Sequence, residues 1–279
     1  MSLLTFTLII FAGALLAGLL GSLTGLGGGV VIIPLLTIAF HIDIRYAIGT
    51  SLVAVIATSS GSAAAYVKEG FSNIRIAMFL EVATTSGAIL GAILAIYLPT
   101  HFIAILAGIV ILYSALISLK KKQDHLDVNQ SSKLARILKL NGDFPDEHGN
   151  KISYAVHRVA GGYGMMMFAG VISGLLGLGS GSLKVVAMDN IMHIPFKVST
   201  TTSNFMIGVT AAASASVYLS RGYIDPVLSM PVVLGVLLGS MIGARILMKT
   251  ATSWLRILFI VVITILGAEM IYNGLLNKI

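Results

Sequence analysis

Residues 17–92 and 169–244 align without a gap at an offset of 152 positions, and 20 of the 76 pairs are identical. The identities are not scattered leucines. Gly25-Leu26-Gly27-Gly28-Gly29 falls over Gly177-Leu178-Gly179-Ser180-Gly181, His41 over His193, and Thr50-Ser51 over Thr202-Ser203. Thr58, Tyr66, Gly70, Gly87 and Gly91 fall over Thr210, Tyr218, Gly222, Gly239 and Gly243. A chain with this internal repeat folds as two copies of one unit, and the shared polar and glycine positions mark where that unit does its work.

The unit belongs in a membrane. With 57% hydrophobic residues, 10% charged and a mean hydropathy of +0.97, there is too little polar surface to cover a soluble globule. Cysteine is absent, which excludes a disulfide framework and thiolate chemistry. The net charge of +7 does not make a nucleic-acid stripe, because eight of the 18 Lys and Arg lie between Lys120 and Arg158. Such a cluster marks a cytoplasmic loop. Residues 3–23 are apolar but follow no basic segment, so they are expected to be a retained first helix.

Apolar runs of spanning length occur at 3–23, 46–67, 75–97, 101–119, 161–178, 198–219, 227–248 and 255–274. Between the first and second run of each half lies a shorter apolar segment, 30–40 and 182–194, entered through the glycine cluster. A helix of that length rises only ~16–20 Å against a hydrocarbon core of ~30 Å, so it stops part-way. Five crossings per half give inverted repeats and four give parallel ones. Inversion puts 13 Lys and Arg inside and 3 outside, against 12 and 4 for the parallel arrangement.

The expected fold is therefore an all-α polytopic membrane protein of two inverted repeats, each with four full transmembrane helices and one short glycine-broken helix. The units are 1–119, a cytoplasmic linker 120–159, and 160–279. Within the linker, 136–141 and 151–157 alternate apolar with polar around 146–150, which predicts a small β-hairpin, the alternative being an unstructured connection.

The glycine clusters permit a sharp break in a helix. Irregular backbone is tolerated at membrane depth only where it is buried in protein or lines a cavity. The amides of Gly27, Gly28 and Gly29, and of Gly179, Ser180 and Gly181, would then face that cavity as an anion site. Tight helix packing is the competing explanation. Lys184 follows the second cluster where the first half has Ile32. A charge at mid-bilayer needs a partner or a watery cavity, so Lys184 either holds an anion or pairs with Asp189. Thr50, Ser51, Thr202, Ser203 and Asn204 open the long helices that follow, as caps or as donors to an oxyanion. Glu81 and Asp189 are the carboxylates able to carry a coupling proton. His41 and His193, beside Arg45 and Lys197, are expected to be interfacial anchors. No nucleophile–base grouping, metal-ligand spacing or cofactor motif occurs, so no enzyme and no cofactor are expected.

Gly-Leu-Gly-Gly-Gly29 followed by Pro34, its partner in the second half, and the later Gly49-Thr-Ser51 and Thr202-Ser-Asn204 resemble the TauE/SafE family of anion permeases. The resemblance covers 17–119 and 160–274. It implies export of sulfite, sulfoacetate or a similar oxyanion across the cell membrane; a prokaryotic cell membrane and a chain that can form a homo-oligomer are further expectations. Two positions depart from the first motif: Ser180 stands where it has Gly28, and Val186 where it has Pro34. An anion leaving a negative interior gains ~2.3 kcal/mol per charge per 100 mV, so export needs no coupled ion. Uptake by the same chain would need protons or sodium, and an accessory subunit without transport is the remaining alternative.

Overall fold

The computed structural model describes residues 3–24, 27–68, 72–119, 131–145, 151–249 and 253–277. Gly25, Leu26, Gly70 and residues 120–130 and 146–150 lie outside the described residues. The first half is α1 (Leu3–Thr24), α2 (Gly29–Pro34), α3 (Ile44–Lys68), α4 (Ile74–Tyr97) and α5 (Thr100–Leu119). A short helix α6 (Lys133–Ile137) and strands β1 (Gly142–Pro145) and β2 (Lys151–Tyr154) follow. The second half is α7 (Val159–Leu176), α8 (Gly181–Val186), α9 (Phe196–Ser220), α10 (Pro226–Lys249) and α11 (Ser253–Leu275).

Every apolar run became a helix, but among the described residues fewer than the expected eight are spans by length and composition. Leu4–Ser22, Ile74–Tyr97, Val159–Leu176 and Pro226–Gly243 are long and apolar enough, whereas Thr100–Leu116 and Ile260–Leu275 are shorter apolar stretches. The helices α3 and α9 are 25 residues each but rich in Ser, Thr and Ala. The reason is packing: α3 and α9 lie against each other and are flanked by α10 and α4, so their neighbours are protein and they need not be apolar all round. Leu8, Leu16, Met78, Val82, Leu234, Leu238, Ile257 and Ile265 on the surrounding helices remain exposed, as a lipid-facing surface requires.

The outer helices join in pairs that cross between the halves, α1 with α10 and α4 with α7. A side chain on Gly170 or Gly174 would overlap the carbonyl of Thr84 or Ala88, and one on Gly239 would overlap that of Leu15. These seams are small-xxx-small contacts in which backbone meets backbone, so dispersion over a close approach replaces the hydrophobic drive missing in lipid. Numbers rise together along both seams, so each pair is parallel. Gly108 against Gly267, with Gly274 against His101, runs the other way, so α5 and α11 are antiparallel.

Two ends of the bundle can be told apart. At one, the start of α3 meets the α9–α10 loop: Gly49 lies against the Tyr223 backbone, and the rings of Tyr46 and Tyr223 meet edge to face at 5.6 Å. At the other, the start of α9 meets the α3–α4 loop, where the Asn73 N–H donates to Thr202 Oγ1 at 3.1 Å. Helices α3 and α9 therefore run antiparallel.

The linker segment packs at this second end. Its strands form an antiparallel hairpin with Gly142 opposite Tyr154 and Pro145 opposite Lys151. The first strand lies downstream of the alternating stretch that predicted it. Residues 133–137 are helical instead, because Ser132 caps them by accepting from the Ala135 N–H at 3.2 Å and Ala135 is buried. Ala135, Leu140, Phe144, Tyr154 and Val156 share a core with Ile76 and Leu80 of α4, Met166 of α7 and Val198 of α9. Asn73 ties this module down: its amide donates to Leu140 O at 3.2 Å and Tyr154 Oη at 2.7 Å, while its Oδ1 accepts from the Ile76 N–H at 3.1 Å. Burial pushes the Tyr154 phenol up to about 12, because its ionised form would lose water.

Both short helices end alike. Each runs into a π-helical turn, Leu35–Ala39 or Ala187–Ile191, and stops at a histidine with positive φ, 53° at His41 and 56° at His193. The Ile42 N–H then donates to Leu36 O at 3.1 Å and the Ile194 N–H to Met188 O at 3.0 Å. Each bond reaches six residues back, one more than the Schellman bond of an α-helix, because the last turn is π-helical, and histidine is among the few side chains that enter the left-handed region readily. The two histidines thus terminate helices rather than merely anchoring at an interface.

Candidate functional site

The break before α2 turns on Gly27, whose φ is +81°, while Gly28 is right-handed at −67°. The sharp turn therefore falls one residue before Gly28. In the second half three residues enter the left-handed region: Gly177 at +66°, Gly179 at +74° and Ser180 at +48°. Glycine carries that conformation freely, but serine bears a Cβ clash of about 1–2 kcal/mol. Sequence comparison with Gly28 flagged Ser180 without revealing that it is strained.

The two breaks meet in the middle of the bundle. A Cβ on Gly27 would lie 3.7 Å from Val55 and 3.8 Å from Ile207, and one on Gly179 would lie 3.2 Å and 2.9 Å from the same two residues. Val55 on α3 and Ile207 on α9 are themselves 152 positions apart. Ser51 Oγ donates to Gly177 O at 2.9 Å, which fastens α3 to the second break. A Cβ on Gly29 would also reach Gly177 O, at 2.9 Å. Ser203 Oγ donates to Gly181 O at 3.3 Å, fastening α9 to the start of α8.

Lys184, one turn into α8, is 0% exposed. Its ammonium donates to Thr210 Oγ1 at 2.5 Å. Thr210 in turn lies within hydrogen-bonding reach of Glu81 Oε1 at 2.7 Å and Met206 O at 3.0 Å. Thr85 Oγ1 donates to the same Glu81 oxygen at 3.0 Å. Among the described residues the ammonium is thus bonded to a neutral hydroxyl and reaches a carboxylate through it. Asp189 is buried on the π turn and does not take this bond. Thr210 escaped notice as a site residue. Its signal was present, since it is identical to Thr58 across the repeat and stands two turns after Ser203 on one helix face.

Two buried donors nearby in the fold lack partners among the described residues: Ser180 Oγ, on a residue 3% exposed, and Asn204 Nδ2, on a residue 4% exposed. An unmet buried donor costs about 1–3 kcal/mol, which an anion would recover. The helix dipole adds less, because α8 has six α-helical residues before its π turn. The formal charge of Lys184 is the stronger attraction.

The remaining expected residues lie apart. Thr50 Oγ1 shares a 3.4 Å bond with Ser229 on α10 near one end, and Thr202 Oγ1 accepts from Asn73 at the other. Gly27, Gly179, Ser51, Ser203 and Gly181 converge on the breaks, with Ser180 and Lys184 continuing along the α8 entrance. Among the described residues, no group of three His, Asp or Glu is placed to hold a metal.

Residues 10–270 match the family model for the sulfite exporter TauE/SafE. The chain is 28% identical to the probable membrane transporter protein YunE of Bacillus subtilis (strain 168), over 98% of this chain and all of that one. It is 28% identical to the probable membrane transporter protein YdhB of the same organism, over 85% and 89% of the two chains. The probable membrane transporter protein MJ0441 of Methanocaldococcus jannaschii is 22% identical over 96% of each. No solved structure matches. With the family pattern running through both glycine breaks, Lys184 and the helices that enclose them, this chain belongs to the TauE/SafE family of membrane transporters.

Proposed function

We propose that this transporter exports a small oxyanion, sulfite, sulfoacetate or a related organosulfur anion, through a site where the two glycine breaks meet. The observation that carries the proposal is Lys184: a fully buried ammonium whose hydrogen bond goes to a neutral hydroxyl. Such a cation lowers its cost by holding an anion. Ser180 Oγ and Asn204 Nδ2 supply unmet donors, and Gly27 and Gly179 turn the backbone through the left-handed region at the two breaks. The halves act as inverted repeats with eight crossing helices and two half-crossing ones, 1–119 and 160–279 joined by the cytoplasmic module 120–159. Antiparallel α3 and α9 support that arrangement, as do the α1–α10 and α4–α7 seams, which exchange under the 152-residue offset. The relatives are bacterial and archaeal, in keeping with a prokaryotic cell membrane.

The experiment is flux of sulfite, sulfoacetate, thiosulfate and sulfate in proteoliposomes with voltage and pH gradients set separately. At least one of these anions should move toward the positive side. Lys184→Met keeps most of the stem and should reduce that flux at least a hundredfold while the protein still folds and inserts. Normal flux in Lys184→Met, or no flux of any anion in the native protein, refutes the proposal. The link from Lys184 to Glu81 favours one second reading, a proton- or sodium-coupled importer using Glu81 or Asp189, for which flux would follow the cation gradient and not the voltage alone.

A further inference from the structure

We propose that Glu81 is a built-in stand-in for the transported anion: its carboxylate neutralises Lys184 through Thr210 when the carrier is empty and leaves when an oxyanion takes its place. The inference rests on the anion-site role of Lys184. Three features of the geometry carry it. First, the carboxylate reaches the cation through a single hydroxyl, with 2.5 Å from Nζ to Oγ1 and 2.7 Å from Oγ1 to Oε1. Second, Glu81 is held by one oxygen only, because Thr210 and Thr85 both address Oε1 while Oε2 is buried without a partner among the described residues. A carboxylate fixed for structure alone would use both oxygens. Third, Thr210 loses nothing when Glu81 departs, since its proton can pass to Met206 O at 3.0 Å and its lone pair stays on Lys184.

The repeat shows that the fold does not require the pair. In the 152-residue alignment Lys184 faces Ile32 and Glu81 faces Val233, so both equivalent positions in the other half carry hydrocarbon side chains. The pair also joins the halves, Glu81 on α4 of the first and Lys184 on α8 of the second. Swapping the internal carboxylate for an external oxyanion therefore frees one repeat from the other at the moment of loading. An empty carrier with its charge satisfied internally can return across the membrane without a substrate.

Competition between Glu81 and the anion sets the test. Binding of sulfite, sulfoacetate and thiosulfate is measured on purified protein, and labelled-for-unlabelled exchange is compared with net efflux in proteoliposomes at fixed voltage. Glu81→Gln should bind the transported anion at least tenfold more tightly, keep exchange, and lose net efflux at least tenfold, because the emptied carrier cannot return. Thr85→Val leaves the carboxylate charged but weakens its hold, and should tighten binding by a smaller factor, about two- to fivefold. Unchanged or weaker binding in both variants, or exchange and net efflux falling in parallel, overturns the stand-in role. If the native protein moves anions and Lys184→Met does not, that failure belongs to Glu81 alone. If the native protein moves none of the anions, the anion site fails and the stand-in role falls with it.

Discussion

Replacing Ser180 by glycine should make the protein more stable and less active. Ser180 sits at φ +48°, where its Cβ costs about 1–2 kcal/mol that glycine does not pay in the folded state. Against this, glycine loses about 0.5–1 kcal/mol through the freer unfolded chain. Removing a buried hydroxyl with no partner among the described residues returns roughly another 1 kcal/mol. The net gain is about 1–2 kcal/mol, or a rise in melting temperature of roughly 2–8 °C at 2–4 °C per kcal/mol. If the hydroxyl donates to the anion, its loss removes a hydrogen bond to a charged group, about 1.5–3 kcal/mol, or roughly 10- to 150-fold in affinity. Thermal melts in detergent and oxyanion binding on one preparation read both effects. Ser180→Ala separates them, because it keeps the strained Cβ and loses the hydroxyl: affinity should fall as in Ser180→Gly, while stability should rise only by the hydroxyl's share, about 1 kcal/mol, without the part that comes from relieving the Cβ. A glycine variant that binds and transports normally would refute the functional account of the strain.

Cysteines introduced into this Cys-free chain at Ile137 and Gly222 should label from opposite sides of the membrane, Ile137 from the cytoplasm; labelling of both from one side would remove the inverted arrangement. Tyr154 holds its proton up to about 12 in the folded protein against 10 unfolded, so docking of the hairpin module should be unaffected below pH 10 and weaken between pH 10 and 12, by about 2–3 kcal/mol. Limited proteolysis across that window should show the loss, and Tyr154→Phe should remove that part of it. Gly174→Ala, whose Cβ would overlap the Ala88 carbonyl, should lower the melting temperature while flux per surviving molecule holds. Gly27→Ala, with room for a methyl group but φ +81°, should lower flux more than stability, as measured by the same two assays.

The sequence by itself determined the medium, the positions of the helices within a few residues, and the residues at which two helices break. These are local matters. In lipid every backbone polar group must be satisfied within the segment, so an apolar run has little choice but helix, and a glycine cluster inside it has little use except a break or a close approach. Inside the linker the same logic failed at 136–141, where alternation is a weaker signal than a serine cap followed by a buried alanine. Only the tertiary structure decided which polar groups meet. Thr210 is marked by its identity with Thr58, but nothing along the chain says that Lys184 and a glutamate 129 residues away lie on either side of it. Asn73 carries no signal in the sequence, yet Thr202, Leu140 and Tyr154 converge on it. Pattern along a chain reports what one segment buries, whereas a partner for a buried charge is set by how separate helices pack, and that geometry has no period to read.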